Sequence, residues 1–259
     1  VSAATHHAQQ GGGPLLSISK LEKSYGSHKV LEDITLDVAP GELVSLVGPN
    51  GAGKTTMMRC LTDGKERSGG TVRIAGQDIA GMTPDRIVAL GVGRKFQVAS
   101  VFESLTVADC LRMARSALDT PSCVATAHDL GLPQAAVEIL QLTGLDRLLA
   151  TEVSLLSHGQ KQSLELAMVV SLEPRLILLD EPTAGLTKAE RTTIGGILRK
   201  LTAEMGFAAI LVEHDLDFVR DISSRIVVLH QGRLVLDGSV DEVVNSEIVK
   251  TIYSGGENA

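Results

Sequence analysis

Apolar and polar side chains alternate through Ile34, Thr35, Leu36, Asp37 and Val38, a period of two that predicts a strand with one buried face. Pro40-Gly41 predicts a turn. The next run, Leu43-Val44-Ser45-Leu46-Val47, is nearly all apolar, as expected of a strand covered on both faces in a parallel sheet. Residues 71–74, closed by Gly76, predict another strand, and the runs 176–179 and 208–212 predict that parallel strands return. Residues 226–229 and 234–236 flank Gln231-Gly232, a pairing that predicts a hairpin. Between Leu105 and about Leu149 the period becomes helical: Ala135, Ala136, Ile139 and Leu140 share one side, with Leu142 beyond. Thr120-Pro121 and Leu132-Pro133 punctuate that stretch. The pattern predicts an α/β fold with a central parallel sheet, an antiparallel β-element and an inserted helical lobe.

The 259 residues suffice for one large domain or two small ones. Net charge is 24 − 31 = −7, and there are two Tyr, four Phe and no Trp. An acidic, aromatic-poor chain is a poor independent binder of nucleic acid, which calls for clustered cations and stacking platforms, so no nucleic-acid partner is expected. No window reaches the apolar length of a membrane span. Residues 1–14 have neither a basic start nor an apolar stretch, and read as a disordered tail rather than a secretory signal. Cys60, Cys110 and Cys123 lack metal-site spacing and are expected to be reduced thiols packed as small core residues.

Chemistry enters directly after the strand 43–47. Gly48-Pro49-Asn50-Gly51-Ala52-Gly53-Lys54-Thr55-Thr56 matches G-x-x-x-x-G-K-[ST] in its required setting, strand before and helix after. The glycines let backbone N–H groups curl around an anion, and the following helix aims its positive end at it. Lys54 is then placed for β- and γ-phosphates and the Thr55 hydroxyl for Mg²⁺; Gly64 suits the helix C-cap. Leu176-Ile177-Leu178-Leu179-Asp180-Glu181 is an apolar strand ending in two carboxylates. Asp180 suits the metal ion, and Glu181 the deprotonation of an attacking water.

Leu156-Ser157-His158-Gly159-Gln160 resembles the LSGGQ signature of the ATP-binding cassette (ABC) ATPases, and Lys161 just after it lies 19 residues before Asp180 (180 − 161). Other cassette motifs follow in order. Tyr25, 29 residues before Lys54 (54 − 25), resembles the adenine-stacking aromatic. Gln97 resembles the Q-loop glutamine, a further metal and catalytic contact, and His214 the switch histidine facing the γ-phosphate. The resemblance spans residues 16 to about 254 and implies a P-loop NTPase core of RecA type. Residues 15–259 are then one nucleotide-binding domain, with its helical subdomain at about 103–170. Independently, S-x-x-Q at Ser157 and Gln160 is a capping box, expected to open the helix 161–171. In the family this helix end faces the nucleotide held by a second protomer, so Ser157, Gly159 and Gln160 are expected to contact ATP there. The sequence departs from the family pattern at His158, usually Gly, and at Thr187, usually Asp.

His158 with Lys161-Gln162, the block 93–97 followed by Val101-Phe102-Glu103, and residues 181–186 resemble the branched-chain amino acid importer ATPases, in particular a urea and short-amide subgroup. The resemblance implies an ATPase using ATP and Mg²⁺ as a peripheral subunit on the cytoplasmic face of the inner membrane. Its expected partners are integral-membrane permeases, a second ATPase subunit or itself as a head-to-tail dimer, and indirectly a solute-binding protein. Phe96, Val98, Val101 and Phe102 beside Gln97 are expected to form part of the permease-docking groove. The alternative is a soluble ABC ATPase uncoupled from transport. Such proteins usually carry two cassettes or a coiled-coil arm, whereas 58 residues separate Gln97 from Leu156 (156 − 97 − 1).

Overall fold

Two sheets share the first core. Leu16, Ile18 and Leu21 of β1 (Leu16–Tyr25) and Ile34, Leu36 and Val38 of β2 (His28–Val38) are buried together. They face Val44 and Leu46 of β3 (Leu43–Val47) and Met57, Met58 and Leu61 of α1 (Lys54–Thr62). Full burial of each such side chain contributes about 1.5–3 kcal/mol. The structure, a computed structural model, describes residues 13–95, 101–116 and 130–254. Gln97, Phe96, Val98, Cys123 and most of the expected tail lie outside the described residues.

β4 (Gly69–Ile74) and β5 (Gln77–Asp78) complete an antiparallel sheet of order β2-β1-β4-β5. After α2 (Pro84–Ala89), β6 (Val92–Lys95) enters the second sheet. The helical lobe comprises α3 (Val107–Arg115), α4 (Gln134–Thr143) and α5 (His158–Val170). β7 (Leu176–Asp180), α6 (Lys188–Ala203), β8 (Ala208–Val212), α7 (Leu216–Ile222), β9 (Arg225–His230) and β10 (Arg233–Gly238) follow, then α8 (Val240–Val244) and α9 (Glu247–Ser254). The larger sheet runs β10-β9-β3-β8-β7-β6, all parallel except the β9–β10 hairpin. That hairpin turns on Gln231 and Gly232, both at positive φ, as a tight two-residue turn requires.

A second core packs the lobe helices and α6 against the opposite face of β7 and β8. β3, β7 and β8 are therefore buried along their whole length, which accounts for their unbroken apolar runs. Cys60 and Cys110 are free, buried core thiols.

Two local expectations need correction. The helix after Ser157 begins at His158, not residue 161, because a capping box places its glutamine at the third helical position. Gly64 does not cap α1: Asp63 ends it in extended conformation, and a Cβ on Gly64 would stand 1.8 Å from the Ile79 carbonyl oxygen. Leu142 is exposed. At about 100° per residue it falls about 90° from the centre of the arc formed by the buried Ala135, Ala136, Ile139 and Leu140.

Candidate functional site

The chain leaves β3 through a loop that bulkier residues would not fit. Gly48, at φ 151°, lies so close to β9 that a Cβ would stand 2.0 Å from the Leu229 carbonyl oxygen. Pro49, Asn50, Gly51 and Ala52 carry the loop to Gly53, which enters α1 in left-handed conformation with no side-chain cap. No acidic residue occupies the first turn of α1. Its amide end, with Thr55 exposed and Thr56 half-buried beside it, therefore presents partial positive charge to an anion. The Lys54 side chain folds over the loop and donates to the Gly48 and Pro49 carbonyls at 2.6 and 3.0 Å. Burial holds the Lys54 pKa below its usual range, opposed by the nearby Glu181 and Asp180.

Asp180 ends β7, buried, in register with Val212 of β8. Burial raises its pKa, and Arg94 of β6, with Nη2 3.9 Å from Oδ2, acts in the opposite direction. Glu181 follows at φ 47° and donates its N–H to the Val212 carbonyl at 2.9 Å. A left-handed non-glycine residue stores about 1–3 kcal/mol of strain. Here the kink lets the Glu181 carboxylate meet Nε2 of His214, just beyond β8. The loops after β7 and β8 are stapled by Glu213, which is buried and accepts from the Thr183 N–H at 3.2 Å and hydroxyl at 2.5 Å. Burial raises the Glu213 pKa.

Tyr25 closes β1 opposite His28, two residues from the Val30-Leu31 segment that packs on Gly53. The ring is 46% exposed. Its hydroxyl donates to Glu66 at 2.6 Å, and the Lys23 ammonium lies 4.4 Å from the ring centroid.

At the start of α5 the capping box is closed: Ser157 Oγ accepts the Gln160 N–H at 3.2 Å, and Gln160 Oε1 accepts the Ser157 N–H at 2.9 Å. Gly159 packs on Glu190 so closely that a Cβ would stand 2.1 Å from Oε1. His158 Nε2 lies 3.1 Å from the Ala184 carbonyl oxygen. Thr187 caps α6 in a second capping box with Glu190. Both departures from the family pattern thus sit in one seam between α5 and α6.

The fold therefore gathers Lys54, Asp180, Glu181 and His214 into one charged centre. His158 and Gly159, at the start of the helix that Ser157 and Gln160 cap, are held instead against the segment 184–190. Arg94 and Glu213 were not singled out from the sequence. The signal available was a charged residue within, or just after, a strand of a parallel sheet buried on both faces. Such a residue needs a partner.

The protein-family profile described as ABC transporter matches residues 31–184. The high-affinity branched-chain amino acid transport ATP-binding protein LivG of Escherichia coli (strain K12) is 33% identical over 252 residues, covering 93% of this chain and 98% of LivG. BraF of Pseudomonas aeruginosa, described in the same words, is 31% identical with the same coverage. Among solved structures, an ATP-binding cassette of an ABC transporter in its ADP conformation superposes with a TM-score of 0.81 at 24% identity, covering 93% of this chain and 99% of that one. The cbiO1 protein of Clostridium perfringens, part of an ABC transporter complex, gives 0.79 at 25%, covering 94% and 96%.

Proposed function

The chain belongs to the ABC transporter family, and from that premise we propose how its residues bind and hydrolyse ATP as the energising subunit of an importer. The observation that carries the reading is the meeting of Lys54, Asp180, Glu181 and His214 at an uncapped helix N-terminus. The N–H groups of Gly48 and of 50–54, with those of Thr55 and Thr56, cradle the phosphates, and Lys54 swings from its carbonyl acceptors to the β- and γ-phosphates. Glu181 is the base for the attacking water, and His214, bonded to it, orients it and faces the γ-phosphate. Among the described residues no group of three or more His, Cys, Asp or Glu side chains is disposed to hold a metal. Thr55, Asp180 and Gln97 are the residues that would hold Mg²⁺, which would neutralise phosphate charge.

The Tyr25 ring is exposed and is assigned to the adenine. Tyr25→Ala is expected to weaken ATP binding by roughly 1–3 kcal/mol, the range for base–aromatic stacking. Fluorescent-nucleotide titration checks this, and unchanged affinity removes the assignment.

The names of LivG and BraF favour an importer over a cassette acting apart from transport, and a branched-chain amino acid or similar small polar solute as cargo. The urea or short-amide cargo rests on the sequence resemblance alone. No helix of the described residues is long and apolar enough to cross a membrane. We assign the chain to the cytoplasmic membrane face, held by permease subunits, paired with a second ATPase or a second copy of itself, and served by a solute-binding protein. Recovery of a tagged chain from its host with integral-membrane permeases tests this; recovery from the soluble fraction alone overturns it.

Of the expected docking residues, Val101 packs partly onto the core, whereas Phe102 is 52% exposed. Phe102→Glu is therefore expected to abolish solute uptake by the assembled transporter while leaving ATPase activity of the isolated chain near parental. Normal uptake by this variant would exclude docking at Phe102.

A further inference from the structure

Lys95, the last residue of β6, is 1% exposed, among the most completely buried large side chains of the described protein. Its ammonium lies 3.1 Å from Glu165 Oε2 and donates to Gln162 Oε1. Both partners belong to α5 and are themselves buried, at 4% and 0% exposure. A buried ion pair gives up the hydration of both charges, and apolar side chains of the same volume usually stabilise as well or better. What the ion pair adds over an apolar contact is direction. One ammonium between two acceptors on one helix restricts that helix's rotation and register in a way an apolar contact of the same volume need not.

The link is well placed to use that direction. β6 pairs with β7 so that Lys95 stands opposite Leu179, next to Asp180. On α5, Gln162 and Glu165 follow the first helical residue, His158, by four and seven positions (162 − 158, 165 − 158). At about 1.5 Å per residue the anchor lies only about 6–10 Å along the axis from the exposed helix start. A second buried acid extends the polar seam: Glu213, beside His214, holds Thr183 after β7, and its charge and that of Asp180 act on Lys95 as well.

We propose that Lys95 is a positioning residue: its buried bonds to Gln162 and Glu165 fix the angle at which α5 presents Ser157, Gly159 and Gln160 to the nucleotide held by a second chain. The proposal rests on the two-chain site of the preceding reading. It places the effect of Lys95 on the half of the site given to a partner, not on the half each chain keeps.

The test uses the full chain carrying Glu181→Gln, so that bound ATP persists. Lys95→Met/Gln162→Leu/Glu165→Met replaces the cluster with apolar side chains of similar length. Three properties are read: melting temperature, affinity of the dilute single chain for a fluorescent ATP analogue, and mass in MgATP by light scattering. The expected result is near-parental melting and nucleotide affinity, with ATP-driven dimer affinity lowered roughly 2- to 30-fold, the range for mutations that alter coupling between sites. A triple variant that dimerises as its parent overturns the proposal and leaves the cluster a packing element only. If the triple variant does not fold, Gln162→Leu carries the test, because it removes one of the two acceptors and leaves the ion pair of Lys95 with Glu165. Dimerisation weakened with unchanged nucleotide affinity supports the proposal; parental dimerisation overturns it. Failure of the Glu181→Gln parent itself to dimerise in MgATP overturns the two-chain reading instead.

Discussion

Glu181→Gln lowers MgATP turnover by roughly 10²–10⁴-fold, the contribution of a positioned general base, while ATP still binds. Glutamine keeps the size of the side chain and much of its hydrogen bonding but takes up no proton from water. The backbone kink at φ 47° and the N–H bond to the Val212 carbonyl do not depend on the carboxylate, so the loop keeps its course. The bond to His214 changes from a carboxylate partner to an amide one, which retains orientation and removes charge. Lys54, Thr55 and the loop amides are untouched. Phosphate release under saturating MgATP measures the effect, and a parental rate would show that Glu181 is not the base.

Lys54→Ala is expected to remove most of the stabilisation that ATP confers. A ligand at 100 times its dissociation constant stabilises the folded state by about 2.7 kcal/mol, a thermal shift well within the reach of calorimetry or dye-based melting. Lys54 is 7% exposed and lies over the loop, bonded to the Gly48 and Pro49 carbonyls. Met57, Met58 and Leu61, which anchor α1 in the core, are untouched, so the apo protein is expected to stay folded. An ATP-induced shift equal to the parent's would place the phosphates elsewhere.

The phosphate loop and the acid-ended strand were legible because each motif occupies consecutive residues in a fixed setting, strand then loop then helix. β3, β7 and β8 were legible because burial on both faces leaves an unbroken apolar run. β1 was not, although it is ten residues long. It buries Leu16 and Ile18, then Leu21, and its pairing shifts register between Ile18 and Leu21, where Lys20 takes a positive φ. Such an irregularity breaks the period of two on which strand reading depends. β6 escaped for a different reason. Val92-Gly93-Arg94-Lys95 carries two cations in a parallel strand, and their partners, Asp180, Gln162 and Glu165, are about 70–90 residues away in sequence. The contacts of His158 with the Ala184 carbonyl and of Gly159 with Glu190 were hidden in the same way: a side chain's partner across a helix seam follows from packing, not spacing.

The central claim is that hydrolysis takes place in a site split between two chains, the phosphate loop of one and the start of α5 of the other. Light scattering of the purified Glu181→Gln protein, with and without MgATP, tests it most directly. The account predicts a mass near that of the 27.3 kDa chain without nucleotide and about twice that with it, or a mixed dimer of similar size once the cognate second ATPase is added. A protein that binds ATP tightly yet stays at the mass of one chain, alone and with that partner, would contradict the split site.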